Sequence, residues 1–217
     1  LREIPDPPYT LYIEGSFDWA KQAPMVAIVG SRKFTAYGEQ VAARLSEDLT
    51  RAGIVVVSGL AFGIDSVAHE AALEANGETI AVLGSGIQSI SPSSHIPLAK
   101  KIMGHGAVIS EYPPTLGGGK WTFAERNRII AGMTLGTIVI EAAEKSGSLI
   151  TAQCALEYNR EVFAVPGSVF SPYSIGTNNL IKRGAKVVTG LQDILEELSQ
   201  ENLFSSQEKG QEKKEVT

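Results

Sequence analysis

The sequence of 217 residues is 43% hydrophobic and 20% charged, which is typical of a globular α/β protein that buries a sizeable core. Its only cysteine, Cys154, cannot form a disulfide within the chain, and no apolar run approaches the roughly 20 residues that span a bilayer. We therefore expect a cytoplasmic protein without a membrane partner, and Leu1 at the first position is consistent with a piece of a longer chain.

The net charge of −5 does not exclude an anionic ligand, because the acidic residues are unevenly distributed. From Leu191 onward there are seven acidic residues and three lysines, so the rest of the chain is nearly neutral. Many of its cations fall in glycine-rich turns, which indicates a local basic patch. These cations are Arg32, Lys33, Lys120, Arg126, Arg128, Lys182 and Arg183.

A proline-rich segment, PDPPYTLYIEG, lies near the start of the chain. Its prolines exclude it from a helix or a central strand. For residues 1–25 we expect an extended arm with an edge strand. Short runs of Val, Ile and Ala then alternate with helical patterns, as in βαβ units with a parallel sheet. The predicted strands are Val26–Val29, Ile54–Val57, Thr79–Leu83, Ala107–Ile109, Thr137–Ile140, Val162–Val165 and Lys186–Val188.

Helical patterns lie between these strands and after the last one. The predicted helices are Gly38–Arg51, Asp65–Ala75, Pro97–Met103, Phe123–Met133, Ser148–Tyr158, Asn178–Arg183 and Leu191–Leu198. The strands are nearly all apolar, as expected where both faces of a sheet are buried. Over residues 26–199 we predict an α/β fold, an extended Rossmann-like, doubly wound and mostly parallel sheet with helices on both faces. The polar end SSQEKGQEKKEVT makes residues 200–217 a charged tail, which we expect to be disordered.

The turn after the first predicted parallel strand lacks the spacing of a dinucleotide site. A G-x-G-x-x-G motif lets a pyrophosphate lie against bare backbone, but here the next glycine after Gly30 is Gly38. The turn offers the hydroxyl of Ser31 and the guanidinium of Arg32 instead. We therefore expect a different anionic ligand.

Glycine and serine recur in the turns beyond the predicted strands. In open α/β sheets, ligands bind at this edge because helix N-termini converge there. Turn geometry and helix capping explain any single turn of this kind, but six on one rim with cations among them favour a phosphate-bearing ligand. The turns are Gly30–Arg32, Ser58–Gly63, Gly84–Gly86, Ser110–Pro114, Glu141–Ser148 and Pro166–Ser168.

The segment TLGGGKWTFAERNRIIAGMT, Thr115–Thr134, combines three glycines with basic and aromatic residues. The glycines suggest a mobile lip, Lys120 supplies a charge, and Trp121 and Phe123 supply faces on which a base can stack. This combination suits single-stranded nucleic acid. The alternative is that both aromatic rings are core anchors and that the arginines pair with Glu125 or Glu141.

No combination of nucleophile, base and orienting group is recognisable in the sequence. His69 belongs to a helical pattern and Cys154 to an apolar helix face, where packing is the usual role of such residues. We predict no catalytic residue, no metal site and no cofactor. For a hydrolytic alternative, Glu141, Arg128 and Glu111 are the candidate acid–base groups.

Eight motifs follow one another along the chain: VAIVGSR (Val26–Arg32), SGLAFGIDSVAHEAAL (Ser58–Leu73), TIAVLGSG (Thr79–Gly86), ISEYPP (Ile109–Pro114), FAERNRIIAG (Phe123–Gly132), IVIEAAEKSGSLITA (Ile138–Ala152), AVPG (Ala164–Gly167) and GTNNLIKRGA (Gly176–Ala185). Together these motifs resemble the DNA-processing protein A family, also called DprA or Smf. RNRIIAG followed by EAAEKSGSLITA is specific, whereas GSR alone is not. Ala124 replaces the proline that in this family usually follows the aromatic residue of the RNRII motif.

The resemblance implies a homodimer that binds and protects single-stranded DNA and promotes loading of a RecA-type recombinase in natural transformation. Carried over by position, Ser31 and Arg32 contact phosphates and Phe123 stacks against a base. The complete set of implied DNA-binding residues is Ser31, Arg32, Gly119 and Lys120 of the turn and lip, Phe123, Asn127 and Arg128 of the pocket, and Asn178 and Lys182 of its far wall.

The same rim is compatible with an enzyme, a nucleotide phosphoribohydrolase-like member of the lysine-decarboxylase-like Rossmann group. That comparison concerns the fold alone, and the segment Glu141–Thr151 lacks the P-G-G-x-G-T spacing of those enzymes. A purely structural module would explain neither the glycine rim nor Arg32. We therefore favour a binding protein.

Overall fold

The computed structural model describes residues 1–19 and 23–199, in which eight strands join in one sheet. The strands are β1 (Tyr12–Gly15), β2 (Met25–Val29), β3 (Val55–Ser58), β4 (Thr79–Leu83), β5 (Ala107–Ser110), β6 (Gly136–Val139), β7 (Glu161–Ala164) and β8 (Lys186–Val187). Their order across the sheet is β1-β5-β4-β3-β2-β6-β7-β8. All pairs are parallel except β1 with β5. The predicted mostly parallel sheet is confirmed.

The helices are α1 (Ala36–Arg51), α2 (Ile64–Glu74), α3 (Ile96–His105), α4 (Lys120–Glu125), α5 (Asn127–Met133), α6 (Ser148–Glu157), α7 (Ile175–Lys182) and α8 (residues 191–199). The single helix predicted over Phe123–Met133 is wrong, because Arg126 separates α4 from α5. The two helices pack differently: α4 buries none of its residues, whereas α5 buries five of its seven.

Helices cover both faces of the sheet, because successive side chains of each central strand point in opposite directions. In β2, Val26 and Ile28 belong to one buried cluster with residues of α1, α2 and α8. Ala27 and Val29 belong to another with residues of α5 and α6. Burial on both faces explains why these strands are continuous apolar runs in the sequence. It also confirms the predicted doubly wound arrangement.

The strand order reverses at β2. From this strand the chain proceeds through β3, β4 and β5 on one side, then returns to place β6, β7 and β8 on the other. Crossovers that leave β2 and β6 in opposite directions open a crevice beyond the carboxyl ends of these two strands. The fold therefore positions a ligand site at the turns after β2 and β6.

The N-terminal segment adds an edge to this sheet. Tyr12 of β1 pairs with Ser110 of β5 in antiparallel register. Ile4, before the strand in the sequence, and Phe17, after it, are both buried. The predicted tail, residues 200–217, lies outside the described residues. Among the described helices, none is both long and apolar enough to cross a membrane.

His69 of α2 is a fully buried histidine held in one tautomer. Its Nδ1 lies 2.8 Å from Thr79 Oγ1, and that hydroxyl donates its own proton to the carbonyl of Val56 at 2.7 Å. Nδ1 must therefore donate to Thr79, which leaves Nε2 without a proton. Burial, reinforced by the nearby Arg126 and His95, lowers the pKa of His69 to about 3.

A histidine in the unfolded chain titrates near pH 6.5. Below that pH, residue 69 is therefore protonated in the unfolded chain but stays neutral in the folded protein. The free energy of unfolding should therefore fall by up to about 1.4 kcal/mol per pH unit between pH 6.5 and pH 3 through this residue. Urea denaturation at pH 7, 6 and 5 should show that His69→Leu removes this component. His105→Gln, which changes an exposed histidine, is the control, and equal slopes for His69→Leu and the unmodified chain would contradict the assignment.

Candidate nucleic-acid interface

A cleft of about 630 Å³ opens beyond the carboxyl ends of β2, β3 and β6. We call it the Arg32 cleft. Its walls are the turn after β2, the start of α2, the helices α4 and α5, and the loop between β6 and α6. The lining residues are Val29–Lys33, Ala61, Asp65, Lys120, Trp121, Phe123, Ala124, Arg126, Asn127, Ile130, Ala143, Lys145–Ser148, Ile150, Thr151 and Tyr173.

Glu141, at the end of β6, holds both ends of the turn that carries Arg32. Its backbone carbonyl accepts a hydrogen bond from the Ser31 N–H at 2.8 Å. Its carboxylate accepts one from the Thr35 N–H at 2.9 Å and one from the Thr35 hydroxyl at 2.7 Å. The turn backbone is thereby fixed at residues 31 and 35, while the side chains of Arg32 and Lys33 project into solvent.

The same carboxylate completes the N-terminal cap of α1 from a different strand. Thr35 is the N-cap, and its hydroxyl accepts a hydrogen bond from the N–H of Gly38 at 3.2 Å. In an ordinary capping box, a glutamate at the position of Gly38 would bond back to the N-cap N–H. Glu141 makes that bond instead, and a Cβ at Gly38 would lie 2.4 Å from its Oε2. Glycine at position 38 therefore makes room for Glu141.

Arg126 places a buried positive charge at the base of the cleft. Its Nη1 donates to the carbonyl of Gly59 at 2.7 Å and to the carbonyl of Val82. A Cβ at Gly59 would lie 2.5 Å from that nitrogen, so glycine permits the approach. Burial lowers the pKa of Arg126 to about 10, which still leaves a cation near neutral pH. Burial raises the pKa of Asp65, the carboxyl of the lining, against the opposing effect of Arg126.

The lip presents one anchored ring and one free ring. Phe123 packs between Gly84 and Gly118, at each of which a Cβ would lie 2.6 Å from the ring. The guanidinium carbon of Arg32 lies 5.9 Å from the centroid of Phe123, within the range of a cation–π contact. Trp121, by contrast, is 86% exposed and lines the cleft. Its indole therefore offers an open face at the mouth.

Positive charge dominates the exposed part of the lining. Among the described residues, none of its four exposed cations is in an ion pair. The N-terminus of α6, at Ser146–Ser148, also faces the cleft and adds the positive end of its helix dipole. Such a surface is suited to a phosphate-bearing ligand. The cations are Arg32, Lys33, Lys120 and Lys145.

Comparison with known proteins assigns the chain to a family. The family model of DNA recombination-mediator protein A matches residues 1–199. The chain belongs to this family. It is 47% identical over 203 residues to the DNA processing protein DprA of Bacillus subtilis, covering 94% of this chain and 68% of that protein. The resemblance to DprA and Smf seen in the sequence is confirmed.

Two further relatives bear on the fold and on the extent of the match. Protein Smf of Escherichia coli is 47% identical over 194 residues, which cover 89% of this chain but only 52% of Smf. The structure of DprA from Helicobacter pylori, which concerns its single-stranded DNA binding mode, superposes with a TM-score of 0.82 at 32% identity. That match covers 92% of this chain and 91% of the Helicobacter chain. The chain thus corresponds to about half to two thirds of the longer DprA and Smf relatives.

The structure brings most of the implied DNA-binding residues of the DprA family together. Ser31, Arg32, Lys120, Phe123 and Asn127 line the Arg32 cleft. Gly119 precedes α4 as its N-cap, where the Thr122 hydroxyl bonds to both its N–H and its carbonyl at 2.9 Å. The five lining residues thus come from the turn after β2 and from α4 and α5, and Gly119 directly precedes α4.

Arg128 is not part of the cleft lining, contrary to the expected pocket position. It is 12% exposed, and its Nη2 donates to both oxygens of Glu111 at 2.6 and 2.7 Å. Its Nε lies 3.2 Å from Asp6 in the N-terminal arm. Arg128 therefore joins the arm to the end of β5. Its partner is Glu111 and not Glu125 or Glu141, while Glu125 accepts a hydrogen bond from the Tyr112 hydroxyl.

Asn178 and Lys182 also lie outside the lining, so the expected far wall is not part of this cleft. The side-chain amide of Asn178 is engaged by Gly167, whose N–H and carbonyl lie 3.3 and 3.1 Å from it. Asn178 thus fixes the loop after β7. Lys182 is exposed in the last turn of α7. A DNA contact by either residue stays a prediction.

The acid–base groups considered for a hydrolase have structural partners in this DprA-like fold. Both carboxylate oxygens of Glu141 bond to Thr35, and Glu111 pairs with Arg128. Within residues 1–19 and 23–199, no three His, Cys, Asp or Glu side chains are grouped as a metal site would require. Glu141, Glu111 and Arg128 therefore serve structural contacts, and none of them is among the lining residues of the Arg32 cleft.

Five basic or aromatic lining residues were absent from the sequence-derived set of DNA contacts: Lys33, Trp121, Arg126, Lys145 and Tyr173. Trp121 and Arg126 belong to the lip segment, where the pattern of charge and aromatic side chains was already visible. Lys145 belongs to the specific motif EAAEKSGSLITA of the DprA family. Its place before the N-terminus of α6 was the signal that could have identified it.

The cap on α1 predicts an inverted effect of alanine at position 38. Alanine replacing glycine in a helix normally stabilises by up to about 1 kcal/mol, but Gly38→Ala should destabilise by about 1–3 kcal/mol because its Cβ meets Glu141. In a Glu141→Ala background, Gly38→Ala should become neutral or stabilising. Chemical denaturation of the four proteins of this double-mutant cycle measures the coupling, and additive effects would contradict the cap.

The position of Arg128 predicts a loss of stability on its removal. Arg128→Met should lower the free energy of unfolding by about 3 kcal/mol, since it leaves Glu111 partly buried without its partner. Arg44→Met breaks an exposed ion pair with Asp48 and should change stability by less than about 1 kcal/mol. Thermal and urea unfolding compare the two variants, and equal losses would refute a structural role for Arg128.

Proposed function

We propose that the Arg32 cleft binds single-stranded DNA and leaves it chemically unchanged. The observation that carries this proposal is the set of four exposed cations beside the open face of Trp121, none of which forms an ion pair with another described residue. Cations neutralise the phosphates of a strand, and an exposed indole stacks on a base. A single strand carries both phosphates and unstacked bases, so it can contact the cations and the indole at the same time.

A single strand fits this surface better than a duplex does. In a duplex the bases are paired and stacked on each other, so the face of Trp121 would have no base to receive. Neither the four cations nor Trp121 supplies a pattern of donors and acceptors that would read a base sequence, and we therefore expect binding that tolerates most sequences. The single-stranded DNA binding mode described for the Helicobacter relative supports this proposal.

We favour a binding protein over a nucleotide-hydrolysing enzyme. Asp65 is the carboxyl group of the lining, and it lies at the buried base of the cleft beside Arg126 and not at its mouth. A hydrolase would need a positioned acid or base within reach of the reacting atoms. The groups considered for that role serve capping and ion pairing instead.

The broader role is proposed from the family alone. The family is named DNA recombination-mediator protein A, and this name connects its members with DNA recombination. We extend this to protection of single strands, loading of a RecA-type recombinase and natural transformation, in a homodimer located in the cytoplasm. Because the chain spans about half of the Smf protein, these activities of the whole protein are proposals.

The proposal predicts which substitutions weaken DNA binding. Arg32→Ala and Lys120→Ala should each lower the affinity for a labelled oligo-thymidylate about tenfold at low salt. Each should also reduce the salt slope by about 0.7, the contribution expected of one phosphate contact on a single strand. Fluorescence anisotropy at several salt concentrations measures both quantities. Lys100→Ala, which removes an exposed lysine of α3 outside the lining, is the matched control.

Unchanged affinity in both cleft variants, or equal losses in the Lys100 control, would remove the cleft from the proposal. Circular dichroism establishes that each variant is folded. A nucleoside monophosphate incubated with the same samples tests the enzyme alternative, and release of a free base would favour it over binding.

A further inference from the structure

A second cavity, of about 490 Å³, opens over the N-terminus of α1. Its size falls within the range of small-molecule sites. It lies between the turns after β2, β6 and β7, at the point where the strand order reverses. The lining residues are Thr35, Tyr37, Glu141, Pro166, Gly167, Ser168, Ser171 and Ser174.

This is the position at which a doubly wound sheet ordinarily receives a phosphate. The helix that follows the central strand directs its free N–H groups and the positive end of its dipole towards the crevice. In this protein β2 is that strand and α1 is that helix. Topology alone would therefore predict a nucleotide site in the second cavity.

An internal carboxylate already occupies the end of α1. Glu141 is 2% exposed, and its two oxygens take the N–H and the hydroxyl of Thr35. The space it uses is the space that a side chain at position 38 would fill. The negative charge that the helix N-terminus attracts is thus supplied by the protein itself.

We propose that Glu141 is a specificity-determining residue that closes the α1 N-terminus to the phosphate groups of free nucleotides. A phosphate entering the second cavity would meet the buried carboxylate of Glu141, which has a like charge and already accepts the N–H and the hydroxyl of Thr35. Like charges at such short range disfavour each other strongly where solvent is excluded. The cavity remains open in shape while its anion position is filled.

The two neighbouring cavities therefore differ in the anionic ligands that they accept. Anionic ligands are directed to the Arg32 cleft, whose cations are exposed, and a polymer gains from several contacts there at once. A free nucleotide loses the single anchoring point that a doubly wound sheet usually provides. This inference depends on the geometry at Glu141 and would hold for any polyanion in the Arg32 cleft, so it stands apart from the proposed function.

The test measures binding of inorganic pyrophosphate, without added metal, by calorimetry. All proteins carry Arg32→Ala, so that the Arg32 cleft contributes equally little. Adding Glu141→Ala should tighten pyrophosphate binding at least tenfold. Glu144→Ala removes the same charge from an exposed position on the following loop and should change affinity less than twofold.

Amide NMR signals locate the gained site. In the Glu141→Ala protein, pyrophosphate should shift the N–H signals of Ala36 and Tyr37 in the first turn of α1, and these signals should not move when Glu141 is present. Should Glu141→Ala fold poorly, Glu141→Gln removes the charge while retaining most of the side chain, and it should show a smaller gain in the same direction.

Two results would overturn the inference. One is equal pyrophosphate affinity of the Glu141 and Glu144 variants. The other is a shift of the Ala36 and Tyr37 signals with Glu141 intact, which would show that a phosphate enters despite the carboxylate. Because oligo-thymidylate binding is measured separately with Arg32 and Lys120 variants, failure of this inference is distinguishable from failure of the proposed function.

Discussion

The arrangement of the whole rim depends on the hydrogen bonds that Glu141 accepts from the turn between β2 and α1. One residue at the end of β6 contributes its carbonyl to Ser31 and its carboxylate to Thr35. These bonds cross the place where the strand order reverses, so they also tie the two halves of the sheet together. A turn fixed at both ends presents Arg32 and Lys33 from a defined backbone, which lowers the entropy lost when a ligand binds.

Charge placement explains how a protein with a net charge of −5 can present a positive cleft. Arg126 is buried because the carbonyl groups of Gly59 and Val82, at the ends of two strands, accept its hydrogen bonds. Its charge is partly balanced by Asp65 below the surface, while the four exposed cations above have no carboxylate partner among the described residues. The buried charge of Arg126 is screened less by salt than the charges of these exposed cations.

The parallel sheet could be predicted from the sequence because strands buried on both faces are apolar throughout. The direction in which individual side chains point could not be predicted from the sequence. Arg126 and Arg128 are two residues apart in one motif, and residues at that spacing point to different sides of a helical segment. The family resemblance implied Arg128 for the pocket, whereas the structure places Arg126 there and pairs Arg128 with Glu111. Likewise, nothing in the sequence shows that Gly167, eleven residues from Asn178, engages its amide.

The two aromatic residues of the lip divide their roles according to how they are packed. A ring wedged between Gly84 and Gly118 is fixed in position, so Phe123 anchors the lip, and the lip is less free at this point than its three glycines suggest. Its remaining face lies under Arg32, where the cation–π contact orients the guanidinium. Trp121 has no such constraint and keeps an open face. In the proposed complex, Trp121 is therefore the better placed residue to stack on a base, while Phe123 acts mainly by positioning Arg32 for a phosphate.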